Sequence, residues 1–190
     1  MALLSLKKRK EYFKRLGLVY NPEGIGKLQA RYFVRPQDID RKYDKDTDTL
    51  LRHVINVKSH TKNFEPEEFK CRCGGRWCTG YPTRMKVREL KHIQTIRDHY
   101  GKPMIITDAL RCRRRNESLP NSAKDSPHMH GYAVDFYMQG HTDTAQQRQQ
   151  VIRYCKKLKG HKYTYANGCY DSNGTYIRSD AMGNAVHTNC

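Results

Sequence analysis

The chain has 190 residues, room for one ordinary domain or a small module joined to a medium one. Lys and Arg number 36 against 19 Asp and Glu, a formal net charge of +17. A field of that sign draws a chain to a polyanion: nucleic acid, an anionic membrane or an acidic cell-wall polymer. No run approaches the ~18 consecutive apolar residues of a membrane span, so a transmembrane class is excluded.

The N-terminal "MALLSLKKRKEYF" puts its apolar residues ahead of its charges, the reverse of a secretory signal, and synthesis in a cytoplasm is expected. Residues 1–58 read as three short helices. The first runs through "LKKRKEYFKRLGL". In the second, Asn21 is an N-cap, Pro22 takes the first helical position, and Ile25, Leu28 and Tyr32 or Phe33 share a face. The third, after the charged turn "RPQDIDRKYDKDTD", carries Leu50, Leu51, Val54 and Ile55. The polar stretch "KSHTKNFEPEE" (58–68) reads as a linker, which divides the chain into domains 1–58 and 59–190.

Beyond it, a helix is expected from about Thr83 to Tyr100, with Val87, Leu90, Ile93 and Ile96 at helical spacing. "KPMIITDAL" and "GYAVDFYM" are strand signals. Residues 142–159 form a polar amphipathic helix that buries Val151, Ile152, Cys155 and Leu158, and the short strand-like "NAVHTNC" closes the chain. Helices and strands without βαβ alternation predict an α+β domain.

Within "SPHMHGYAVDFYM" (126–138), Asp135 sits between Val134 and Phe136. A carboxylate in an apolar run is costly to bury unless a cation pairs with it. A turn at Gly131 would bring His128 and Asp135 to one centre, where they could share a metal ion. Catalytic zinc sites take three protein ligands and leave the fourth position open; His187, in the strand-like "NAVHTN", is the candidate third. A bare His-x6-Asp pair by itself favours the plainer reading, a turn-capping histidine and a solvent-facing aspartate. Seven cysteines are an odd count, and Cys71, Cys73 and Cys78 crowd into "CRCGGRWC" with Cys112 further on. In a reducing compartment such a cluster reads as metal ligands or free thiols rather than disulfides. These four could build a four-thiolate structural zinc site, although Cys-x-Cys-x4-Cys is not a standard spacing. Cys155 reads as core; Cys169 and Cys190 have no assigned role.

The full pattern Ser-x-His-x-x-Gly-x-Ala-x-Asp is far more restrictive. With "FKCRCGGRWCTGYP", "KPMIITDALRCRRRN" and "MGNAVHTN" in the same order, residues 64–190 resemble the zinc D-Ala-D-Ala carboxypeptidases and endopeptidases that cut peptidoglycan stem peptides, particularly those of bacteriophage endolysins. That family shares its fold with the hedgehog signalling domain. The resemblance implies zinc held by His128, Asp135 and His187, and a substrate-contacting Arg111 that forks a carboxylate or stabilises the oxyanion of a peptide carbonyl under attack. Arg113, Arg114 and Arg115 read as a basic patch. Two departures stand out: Asp108-Ala109-Leu110 replaces the usual Ser-Gly-Tyr before the arginine, and Asn189 replaces the aspartate of the closing His-x-Asp. The position three before His187 is Asn184, which cannot serve as general base, leaving Asp180 and His130 as candidates.

The segment "IGKLQARYFVRPQDIDRKYDKDTDTLLRHV" resembles a small three-helix peptidoglycan-binding module through Leu28-Gln29, Asp40, Tyr43 and Thr47, with Arg41 and Asp44 in place of the module's two glycines. A basic supporting bundle is the alternative. The expectation is therefore an endolysin-type zinc peptidoglycan hydrolase whose partner is bacterial peptidoglycan. It would need no membrane and no obligate protein partner, and would act on the wall after release from the host cytoplasm or as a virion component. The rivals are a catalytically silent wall-binding or virion protein that keeps the fold, and a nucleic-acid-binding protein. The latter predicts basic residues interleaved with stacking aromatics, a pattern this chain lacks.

Overall fold

The computed structural model describes residue 53, residues 56–78 and residues 80–190. Apart from residue 53 and residues 56–58, the expected three-helix module, with its candidate binding residues, lies outside the described residues.

Four strands form an antiparallel sheet: β1 (Ile105–Asp108), β2 (Ala133–Tyr137), β3 (Tyr163–Ala166) and β6 (Val186–Asn189), in the order β1-β2-β6-β3. A two-stranded ribbon, β4 (Cys169–Tyr170) and β5 (Tyr176–Ile177), flanks it. The helices are α1 (Val87–Tyr100), the short α2 (Arg113–Glu117) and α3 (Ala145–Lys156). This mixture of helix and antiparallel sheet is compatible with the α+β reading.

Because side chains alternate along a strand, the central strand β2 serves two surfaces. Val134 and Phe136 point into the core, where they join Leu90, Ile93 and Ile96 of α1, Val151, Ile152 and Cys155 of α3, and Val186 of β6. Burying each large apolar side chain of this set contributes roughly 1.5–3 kcal/mol. Asp135 and Tyr137 project from the opposite face, which lines an open cleft.

Helix α1 starts four residues later than its periodicity suggests. Residues 83–86 instead dock on the loop ahead of β2, with the Lys86 N–H donating to the Gly131 carbonyl at 2.8 Å, and Val87 is left 38% exposed. Its C-terminus closes on Gly101 in the left-handed region, as helix ends commonly do. Helix α3 starts at a capping box, Thr144 Oγ1 accepting from the Gln147 N–H while Gln147 Oε1 accepts from the Thr144 N–H. Leu158, beyond its end, is only partly buried.

The stretch 58–68 is not a free connector. Phe64 and Phe69 are buried in the same core as Val57, and residues Pro66–Phe69 form a 3-10 turn. The His53 ring bonds the Pro66 carbonyl at 3.0 Å. Polarity along the stretch hid one aromatic anchor, Phe64, and a second, Phe69, follows directly after the stretch.

Gly131 fixes the approach to β2. Its φ is +73°, and a Cβ there would meet the Arg84 carbonyl oxygen at 2.2 Å. Both the backbone conformation and the close approach therefore demand glycine. Gly131→Ala is expected to cost roughly 3 kcal/mol, read as a lowered midpoint in urea unfolding followed by circular dichroism.

Candidate active site

His128 is the second residue of Pro127–His130, a 3-10 segment stopped by Gly131. Its Nδ1 lies 2.7 Å from the Ala109 carbonyl. A carbonyl can only accept, so Nδ1 carries the proton and the Nε2 lone pair faces the cleft. Asp135 of β2 and His187 of β6 are directly opposite one another in the ladder. Asp135 Oδ1 is 2.7 Å from His187 Nδ1 and 3.5 Å from His128 Nε2, and the two ring nitrogens are 3.3 Å apart. All three residues are buried.

Two nitrogens and a carboxylate oxygen converging on one point is a metal-binding geometry. For Zn–N bonds of 2.0–2.1 Å, the edge of a regular tetrahedron is about 3.3 Å. The His128–His187 separation matches that edge, and all three donor atoms lie within 4.8 Å of one another. Electrostatics points the same way. Burial pushes the Asp135 pKa up, but the charge of His128 and hydrogen bonds from both imidazoles outweigh it and hold the carboxyl well below its ordinary range. Burial lowers the His187 pKa and Asp135 only partly offsets this, which favours the neutral, metal-binding form. Burial also pulls His128 down, but Asp135 more than compensates and its pKa is raised. A cation, proton or metal, is what this cluster lacks.

The cleft above the sheet holds about 890 Å³. Arg111 lines it, its backbone N–H donating to the His128 carbonyl at 3.2 Å. Its Nε and Nη2 both donate to Asp108 Oδ2, at 3.1 and 2.6 Å, and its Nη1 to Asn116 Oδ1 and Ser122 Oγ, at 3.2 and 3.3 Å. The residue that departs from the family's usual serine is thus the counter-ion of the arginine. A bulge between Ile106 and Asp108 makes this possible by placing Asp108, rather than Thr107, opposite Asp135.

Tyr165 of β3 pairs with His187 and tilts over its ring, centroids 4.7 Å apart. Burial, with the Asp135 charge, pushes its pKa up to about 12, so the phenol stays a donor at neutral pH. Sequence analysis passed over Tyr165 and Tyr163; their i,i+2 spacing in "YTYA" was the available signal.

The structure brings His128, Asp135, His187 and Arg111 together, but not the two base candidates. His130 is half-exposed and bonds Asp125, away from the cleft. Asp180 accepts from Asn167 at 3.4 Å, while its neighbours Ser179, Ala181 and Met182 line the cleft. Among the described lining residues the carboxylates are Asp108 and Asp135, and both are committed to partners. Asn184 receives a hydrogen bond from Arg148 at 3.1 Å.

A second cluster stands behind Arg111. The Sγ atoms of Cys71, Cys73, Cys78 and Cys112 lie within 4.8 Å of one another, with Cys73 and Cys78 at 3.5 Å. Backbone N–H groups of Cys112, Gly80 and Arg115 donate to the sulfurs of Cys71, Cys78 and Cys112 at 3.3–3.4 Å. Such donors favour thiolates, but burial outweighs them at Cys71 and Cys78, whose pKa values are raised. At Cys73, where burial opposes ionisation, hydrogen bonds from backbone groups and Cys78 lower the pKa to about 6. None of the seven cysteines is in a disulfide, and Cys155 lies in the core.

The family described as Peptidase M15 matches residues 62–174, more than half of the chain. Neither curated proteins nor solved structures gave a match.

Asp108→Ala would leave the Arg111 guanidinium buried without its counter-ion, and is expected to destabilise the fold by about 3 kcal/mol. Asp108→Ala combined with Arg111→Met should return to within about 1 kcal/mol of wild type, since replacing both members of a buried pair is often neutral. Urea unfolding of the two variants checks both values.

Proposed function

This chain belongs to the peptidase M15 family, a family of zinc-dependent metallopeptidases, and we propose that it is a peptidoglycan hydrolase that cuts a peptide bond of the stem peptide or cross-link. The observation that carries this reading is the convergence of His128, Asp135 and His187 on the floor of an open cleft. A D-Ala-D-Ala type substrate follows the family, and the +17 charge suits an acidic wall. In the role we propose, that of an endolysin released at lysis or a virion component, the N-terminal segment holds the enzyme on the wall and raises its effective concentration there.

Zinc in such a site supplies Lewis acidity toward the carbonyl and a water activated near neutral pH. The chain's own residues do the rest. Ala109 locks the His128 tautomer, and the register of β2 against β6 sets Asp135 and His187 at their places. Arg111 spends Nε and one Nη2–H on Asp108 and turns Nη1 to Asn116 and Ser122, which leaves its second Nη2–H to offer a developing oxyanion. Tyr165, protonated across the neutral range, is a second donor from the neighbouring strand. One preorganised donor of this kind is worth about 10²–10³ in rate.

A second reading, a silent wall-binding protein that keeps the fold, draws on one observation: no described carboxylate lining the cleft is free to act as base. Purified protein incubated with peptidoglycan, with released fragments identified by mass spectrometry, separates the two. Stem-peptide cleavage is expected from wild type and from His130→Gln, a loss of about 10²-fold in Tyr165→Phe, and none from His128→Ala. Intact peptides with zinc bound would establish the silent binder.

The four-cysteine cluster is read here as a second, structural zinc site that fixes the segment leading to Arg111. The Cys73–Cys78 separation of 3.5 Å is near the edge of about 3.8 Å expected for Zn–S bonds of 2.3 Å. Elemental analysis should give two zinc ions per chain, falling to one in His187→Gln and to one in Cys112→Ser. A single ion in wild type, retained in Cys112→Ser, would remove the structural site.

A further inference from the structure

The cleft contains a second arginine that nothing above employs. Arg115, on α2, is half-buried and lines the same cavity as Arg111 and His128. Its backbone N–H is spent on Cys112 Sγ. Its side-chain Nε is buried without a hydrogen-bond partner. Glu117, the acid two residues on, is taken by Arg113 at 2.8 Å, and no described carboxylate pairs with Arg115. An orphaned, desolvated guanidinium N–H carries a penalty that a bound acceptor removes.

Arg111 is in the opposite condition. Asp108 neutralises it and occupies its Nε edge, so the charge that would grip a carboxylate in a fork is already compensated inside the protein. The two arginines therefore divide what the family resemblance assigned to one. Arg111 is left as a neutralised donor beside His128. Arg115 is an unpaired positive charge in a cavity that the loop Leu119–Ser122 also lines.

We propose that Arg115 is the specificity-determining residue of this cleft and that it binds a carboxylate of the substrate. The inference rests on the reading of the cleft as a stem-peptide site. In such a peptide the carboxylate has two sources: the free chain terminus, or the α-carboxyl of a γ-linked glutamyl residue.

The test uses the zinc-loaded full-length chain and three synthetic peptides: L-Ala-γ-D-Glu-L-Lys-D-Ala-D-Ala, its C-terminal amide, and its glutamyl α-amide. Binding is read as KM from initial rates where the peptide is cut, and as Kd by calorimetry where it is not. One of the two amides is expected to bind wild type about tenfold more weakly than the parent. That difference should vanish in Arg115→Gln and largely survive in Arg115→Lys, which keeps the charge. Loss on the terminal amide assigns Arg115 to the chain end, and loss on the glutamyl amide to the branch carboxylate. Equal binding of all three peptides to wild type, or undiminished discrimination in Arg115→Gln, would overturn the inference while leaving the stem-peptide reading intact. If none of the three is bound or cut, that reading falls and this one with it.

Discussion

The pairing of β2 with β6 is the constraint on which the site depends. Asp135 stands opposite His187, and the same row continues to Asp108 on one side and Tyr165 on the other. Four polar side chains on four strands thus share one face of the sheet. The alternate positions, Val134, Phe136 and Val186, fill the core. A slip of one residue would send a carboxylate and an imidazole into that core and turn Phe136 toward solvent. The hydrophobic pattern that stabilises the domain therefore specifies, by the same register, which side chains meet over the cleft. Burial of the core holds two imidazoles and a carboxylate together out of water.

A second set of ties brings the remaining pieces to that row. Residues 109–111 and His128 exchange two hydrogen bonds: the imidazole donates to the Ala109 carbonyl, and the His128 carbonyl accepts from the Arg111 N–H. His128, a candidate metal ligand, and the cleft arginine are consequently placed by one small unit. Gly131 lets the chain turn from that unit into β2 while resting against Arg84. From behind, Cys112 links the same unit to Cys71, whose sulfur accepts the Cys112 N–H. None of these contacts involves a long side chain, so little conformational freedom remains to blur the geometry.

Much of this was legible in the chain because alternation and spacing are local properties. "AVDFY" shows its two faces directly, and Gly131 between His128 and Asp135 marks the turn. Strand β3 is only four residues long, too short for the i,i+2 tyrosines of "YTYA" to decide it, and it is placed by pairing with β6, a contact distant in sequence. The start of α1 was misread for a related reason, since docking against Gly131 overrides helical periodicity at residues 83–86. Phe64 sat in a stretch whose average polarity concealed it. The fate of Asp108 depended on a bulge, which no periodicity encodes.

That bulge has the widest chemical consequence. With serine at position 108 the cleft arginine would keep its charge for the substrate; with aspartate the charge is spent inside the protein. A buried guanidinium–carboxylate pair contributes little net stability, because desolvation cancels most of the attraction. What it does contribute is orientation: Asp108 takes the Nε edge of Arg111 and Asn116 and Ser122 take Nη1, so the remaining Nη2–H points along one direction. Oxyanion stabilisation needs one fixed donor rather than a mobile cation, because a donor already in place costs no reorganisation when charge develops. Recognition of a preformed carboxylate needs the reverse, an uncompensated charge. The arrangement of Asp108, Arg111 and Arg115 separates these two requirements within one wall of the cleft.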